Sequence, residues 1–209
     1  MRIKKIYDIS WELTENTVIY PGNPPIKLEV TKNLKSSTQL TEIRIGSHTG
    51  THLDAPLHVN PSGAGVEAFD IEHFIGDARV LDCTNETRAV TVKTLEKYKI
   101  KKDERILLKT KNSSRLSEPF FSNFIFLSPE GAEYLVQQEV RLVGIDYLSI
   151  KEKGSADNRP HTLLLEKYIP ILEGVDLSQV PAGDYFMFAP PLKFKEIDGS
   201  PLRAVLLSV

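Results

Sequence analysis

Apolar and polar positions alternate in Ile26-Lys-Leu-Glu-Val30 and again in Ile43-Arg-Ile45, the two-residue period of half-buried strands. Two apolar runs, Arg105-Ile-Leu-Leu-Lys109 and Arg141-Leu-Val-Gly-Ile145, predict inner strands covered on both faces. Arg79-Val-Leu-Asp-Cys-Thr84 reads as a further strand, and so do Tyr185-Phe-Met-Phe188 and Ala204-Val-Leu-Leu207. Helical spacing occurs between Thr91 and Tyr98, through Val92, Leu95 and Tyr98. Ser128-Pro129-Glu130 predicts a helix start, with a capping hydroxyl, a proline at the first position and an acid in the first turn. A shorter helix is expected after Pro160, through His161-Thr-Leu-Leu-Leu-Glu-Lys-Tyr168. Strands interspersed with few helices indicate an α/β or α+β protein. No repeat, low-complexity tract or Gly/Ser linker divides the 209 residues, so one domain over 1–209 is expected.

Charge narrows the partners. Lysine and arginine number 26 against 28 aspartates and glutamates, and the basic residues are scattered. Even Lys99-Ile-Lys101-Lys102 is followed at once by Asp103 and Glu104, so no basic stripe suits a phosphate backbone. No nucleic acid is expected. Nor is a membrane span, since no window approaches roughly 18 uninterrupted apolar residues. Met1–Ser10 has early positive charge without an apolar stretch behind it, unlike a secretion signal. The single cysteine, Cys83, has no partner for an internal disulfide and reads as a small buried hydrophobe; a reducing cytoplasm suits it.

Of five histidines, three fall in the run His48-Thr-Gly-Thr-His52-Leu-Asp54-Ala-Pro-Leu-His58. Imidazole and carboxylate suit zinc, manganese and iron, and no thiolate competes nearby. The His-x3-His spacing would place both rings on one face of a helix. Gly50, the β-branched Thr49 and Thr51, and Pro56 all disfavour a helix there. A loop leaving the strand around 43–45 is expected instead, with Gly50 folding it tightly enough for His48 and His52 to converge. Asp54 can then reach the same ion with one oxygen and another ion with the second. His73, in Ile71-Glu-His-Phe-Ile75, reads as an ordinary surface or core histidine. Neither a Gly-x-Ser-x-Gly elbow nor a phosphate-binding glycine loop is present.

The His48–His58 run resembles the signature of the cyclase family of metal-dependent hydrolases, and the resemblance covers nearly the whole chain. Asp8-Ile-Ser10, Tyr20-Pro-Gly-Asn-Pro-Pro25, Val143-Gly-Ile-Asp146 and Asp198-Gly-Ser-Pro-Leu-Arg-Ala204 follow the family's order. It implies a compact α/β domain of the swivelling β/β/α type with a mixed β-sheet core, assembled as a dimer or tetramer. It makes His48, His52 and Asp54 ligands of one divalent ion, zinc or manganese. Asp54 would bridge to a second ion held by His161 and Glu173, and His58 would be catalytic. The implied reaction is hydrolysis of a small amide, an aryl formamide such as N-formylkynurenine first. Cyclic amides of the isatin type, lactones, or a metal-dependent lyase or cyclase reaction are the alternatives. Trp11, Tyr20, Phe69 and Phe74 flank the motifs and are candidate substrate contacts, although each reads equally as core. Two departures stand out: Asn23 where many members carry aspartate, and the divergent segment Tyr147–Arg159.

Overall fold

The computed structural model describes residues 3–32, 35 and 38–208. Among them the chain runs β1 (Lys5–Asp8), β2 (Lys27–Lys32), β3 (Leu40–Arg44), β4 (His52–Asp54), β5 (Ile75–Asp82), β6 (Ala89–Val90) and α1 (Val92–Leu95). Then follow β7 (Arg105–Lys109), β8 (Phe126–Leu127), α2 (Pro129–Gln137), β9 (Leu142–Ile145) and α3 (Arg159–Glu166). The chain closes with β10 (Ile171–Glu173), β11 (Gly183–Phe188), β12 (Gly199–Pro201) and β13 (Val205–Ser208). Nine strands form one mixed sheet in the order β1-β13-β11-β5-β7-β9-β10-β4-β12. Its centre, β5-β7-β9-β10, is parallel, and the flanking strands are antiparallel.

The two apolar runs form β7 and β9 in the middle of the sheet, where every residue but Lys109 is buried. Both faces are covered, which is why these strands are apolar throughout rather than alternating. Ile106, Leu108, Val143, Ile145 and Ile171 pack beneath the helices against Leu95, Leu135, Leu164 and Leu165. Leu107, Leu142 and Leu172 point the other way, into a second core with Ile9, Leu53, Phe74, Val175 and Leu206. The result is a single α/β domain with a curled mixed sheet.

The helix starts follow their local chemistry. Ser128 caps α2 by accepting a hydrogen bond from Gly131 N at 3.0 Å, with Pro129 in the first turn. The 91–98 segment is helical in two parts, α1 and a 3-10 turn over Glu96–Tyr98. In α3 the proline sits one residue inside the start, and the helix stops at Glu166 rather than Tyr168. Among the described residues no helix is long and apolar enough to cross a membrane.

One expectation needs correction. β2 and β3 pair with each other as a separate two-stranded arm, and they are exposed rather than half-buried. Leu28, Val30 and Ile43 are 43%, 53% and 63% exposed. Alternation identified the strands, but among the described residues nothing buries their apolar side chains.

Cys83 follows β5 and is buried; burial, then the carboxylates of Asp146, Glu86 and Asp82, push its thiol up to about 12, leaving it inert. Asp146, at the end of β9, is a fully buried carboxylate. It accepts from Thr110 N and Oγ1 at 2.8 and 2.7 Å, and from Ser113 N and Oγ at 3.1 and 2.8 Å. These bonds tie the 110–113 turn to the sheet, and Ser113 Oγ in turn accepts from Leu177 N at 3.0 Å. Asp146→Ala would strand several buried donors, each costing about 1–3 kcal/mol. The variant is expected to lose at least about 3 kcal/mol of stability in urea unfolding, and a loss under 1 kcal/mol would contradict this reading.

Candidate metal centre

The strand period puts His52 and Asp54 on one face of β4, with Leu53 turned into the core between them. β4 pairs antiparallel with β10 so that His52 stands directly opposite Glu173. That pairing brings together two residues far apart in sequence. Close approach of the loop before β4 is possible because Gly174 adopts φ +67°; a Cβ there would lie 2.2 Å from Gly50 O. Thr51 Oγ1 locks the junction by donating to Gly174 O at 2.6 Å. His48 sits in the preceding turn, where Gly50 has φ +61°. His58 ends the 3-10 turn Pro56–His58, and His161 lies in the first turn of α3, which packs on β10 and on that 3-10 turn.

The side chains converge. Asp54 Oδ1 is 2.7 Å from His48 Nδ1 and 3.4 Å from His52 Nε2, while Oδ2 faces His161 Nε2 at 3.8 Å. Glu173 Oε2 is 3.5 Å from His52 Nε2, and Oε1 is 3.3 Å from His161 Nε2. Ile150 N donates to Glu173 Oε1 at 2.6 Å, fixing that carboxylate. The ring centroids of His48 and His58 are 4.1 Å apart. Among the described residues two triads have potential ligand atoms within 4.8 Å of one another: His48, Asp54 and His58, and His52, Asp54 and Glu173.

This donor set fits a metal. His52 and Asp54 are each 1% exposed, and burying such groups is costly unless they are neutralised. Yet His52 Nε2 and Asp54 Oδ2 are buried with no hydrogen-bond partner among the described residues. The carboxylates facing Nε2 stand at ion-pair rather than hydrogen-bond distances. His52 Nδ1 lies 2.9 Å from Gly50 O; when the ring is neutral, a proton held there leaves the lone pair on Nε2, turned to the cluster.

Without a metal, protons do the neutralising. Burial opposes a charge on His48, but Asp54 and Asp198 outweigh it and push its pKa up to about 10. Burial likewise opposes a charge on His52, and Asp54 and Glu173 push it up to about 9. Burial raises Asp54, yet His48 and His52 hold it well below the usual carboxylate range. Glu173 is raised by burial and by Asp54, but His161 and His52 bring it below its ordinary value. A divalent ion competes with those imidazole protons, so its binding weakens as pH falls. His58 behaves differently. Burial, aided by His48 and His161, lowers its pKa against the pull of Asp54 and Glu173, which keeps the ring neutral at pH 7.

A cleft of about 250 Å³ opens onto these groups. Its remaining wall is Tyr20, Asn23, Leu148, Ser149, Lys151 and Asn158. Both departures from the family pattern therefore fall at the cleft: Asn23, whose Nδ2 donates to His48 O at 3.2 Å, and the 147–159 segment. Of the four aromatic candidates, Tyr20 lines the cleft. Trp11 packs on Tyr147 in a neighbouring aromatic cluster, and Phe69 and Phe74 pack on each other in the core. His73 lies away from the cluster, its Nδ1 against Asp70 O at 3.0 Å. One member of the cluster carried no role in the sequence reading: Asp198, whose Oδ2 is 2.9 Å from His48 Nε2 and 3.7 Å from His58 Nδ1.

Fold and cluster together define an α/β protein with a buried imidazole–carboxylate centre at one side of its sheet. The chain belongs to the cyclase family of hydrolases: the family model described as "Putative cyclase" matches residues 7–152. It is 36% identical to a kynurenine formamidase of Bacillus cytotoxicus over 209 residues, 99% of each chain. A solved structure described as a potential metal-dependent hydrolase with cyclase activity matches 98% of each chain at 32% identity, with a TM-score of 0.88. Isatin hydrolase A from Labrenzia aggregata shares the fold, with a TM-score of 0.85 at 23% identity over 97% of this chain and 93% of its own.

Proposed function

We infer that this protein is a metal-dependent amidohydrolase acting on a small amide, with an aryl formamide such as N-formylkynurenine the first choice. The carrying observation is His52 Nε2, buried without a hydrogen-bond partner among the described residues and facing Asp54 and Glu173, a donor set that a divalent cation would satisfy. In this reading His48, His52 and Asp54 hold one ion; Asp54, His161 and Glu173 hold a second. Zinc and manganese both suit these ligands. A bound divalent ion supplies Lewis acidity, lowering the pKa of water from about 15.7 toward about 7 and polarising a carbonyl.

The chain's own groups do the rest. His58, neutral and 34% exposed at the cleft, takes a proton from water and returns it to the leaving nitrogen. Tyr20 and Leu148 offer an aromatic body an apolar wall, while Asn23, Ser149, Lys151 and Asn158 suit a polar or anionic tail. An aryl formamide with a polar tail therefore fits better than a wholly apolar one. The kynurenine formamidase relative, at 36% identity, supports the same substrate class.

The test is kcat/KM on N-formylkynurenine, isatin and a simple lactone after loading with zinc or manganese. The formamide is expected to be preferred. Comparable, feeble rates on all three would remove aryl formamides from the account.

Self-association is the second part of the proposal. The family resemblance implies it, and the uncovered Leu28, Val30 and Ile43 of the β2–β3 arm support it. Sedimentation at micromolar concentration is expected to give a dimer or tetramer of two-fold symmetry; a monomer would contradict it.

A further inference from the structure

We propose that Asp198 is a positioning residue that presents His48 to the metal. The inference rests on the metal reading of the cluster. Asp198 immediately precedes β12, whose Gly199 pairs with Asp54 on β4, and its carbonyl accepts from Ala55 N at 2.9 Å. The sheet thus holds its backbone beside the His48–His58 run. Its carboxylate reaches over His48, with Oδ2 at 2.9 Å from Nε2. Gly199 makes room for the ring: a Cβ there would lie 2.7 Å from His48 Cε1 and 2.8 Å from Leu53 O.

The chemistry follows from the two nitrogens of one imidazole. Nδ1 of His48 lies 2.7 Å from Asp54 Oδ1, on the side where the other donors gather. To serve as a ligand there it must offer a lone pair, so the ring proton must sit on Nε2. Asp198 accepts that Nε2–H. It selects the tautomer, fixes the ring plane and makes Nδ1 more basic, the arrangement of a carboxylate–histidine–metal relay. His52 is served by a different device, the Gly50 carbonyl on its Nδ1. Each histidine before Asp54 thus has its outer nitrogen occupied by a partner from a different part of the chain. The side chain of Asp198 is 41% exposed and lies outside both hydrophobic cores, so its role does not reduce to packing.

The experiment measures the zinc Kd of the full chain by competition with a chromophoric chelator, alongside the melting temperature of the metal-free protein. Asp198→Ala is expected to weaken zinc about 10–100-fold, as loss of such outer partners does. Asp198→Asn, whose amide oxygen still accepts from Nε2–H, is expected to fall between Asp198→Ala and the wild type. The metal-free protein loses only the Asp198–His48 pair in Asp198→Ala, so its melting temperature should fall slightly, by too little to account for the weaker binding. An unchanged Kd in Asp198→Ala, with wild type binding normally, would overturn the inference while leaving the metal reading intact. A drop in the metal-free melting temperature that accounts for the weaker binding would assign Asp198 to the fold instead. Failure of the wild type itself to bind zinc or manganese would overturn the metal reading, and this inference with it.

Discussion

His52→Ala is expected to lose bound metal and catalytic activity together. Loss of an outer partner to a ligating histidine costs about 10–100-fold in affinity, and loss of the ligand itself costs more. His161 also faces both Asp54 and Glu173, but the more buried of the two, with its side chain 1% exposed against 8%, is His52. Its Nε2 is the atom between Asp54 Oδ1 and Glu173 Oε2, at 3.4 and 3.5 Å. Truncation removes a donor and leaves two buried carboxylates facing each other with less compensation. The variant dialysed against trace zinc should therefore retain less than a tenth of the wild-type metal, and its kcat should fall to that of the metal-free protein. Elemental analysis of the dialysed variant reads this directly. Wild-type metal content in His52→Ala would remove His52 from the ligand set.

His58→Ala separates binding from chemistry. It is expected to keep its metal and lose about 10²–10⁴ in kcat, the usual worth of general acid–base transfer. The assignment is open to contradiction, because His58 groups with His48 and Asp54 within 4.8 Å and is near enough to ligate. Its exposure sets it apart, since its side chain is 34% exposed where that of His52 is 1%. A group that stays neutral at the mouth of the cleft suits proton transfer. Metal loss in His58→Ala equal to that in His52→Ala would make it a ligand.

The parts of this site that were legible in the sequence are those set by local chemistry. Gly50, the threonines and Pro56 ruled out an α-helix across 48–58, but the loop expected there gives way at His52–Asp54 to the strand β4, held by its pairing with β10 and β12, before the 3-10 turn Pro56–His58. The apolar runs of β7 and β9 announced central strands because burial on both faces leaves no polar position to alternate. What local pattern could not carry is pairing between distant segments. Glu173 stands opposite His52 only because β10 lies between β9 and β4, and nothing in Ile169–Gly174 encodes that neighbour. The family resemblance, rather than spacing, brought it and His161 into view. Asp198 entered only as the first residue of the family motif Asp198–Ala204, with no role attached, because the pairing of β12 with β4 that brings it to His48 is not written in that segment. Phe69 and Phe74 were near the motifs in sequence, but the chain turns them into the core. The arm misled in the opposite direction, since a period of two reports a strand but not what covers it.

The central claim is that Asp54 sits between two metal ions. Anomalous diffraction from crystals grown with zinc, with data collected at the zinc edge, tests it most directly. Two peaks are expected, each about 2.0–2.2 Å from an Asp54 oxygen, one shared with His48 and His52 and the other with His161 and Glu173. A map with no peak within coordination distance of Asp54 would contradict the account.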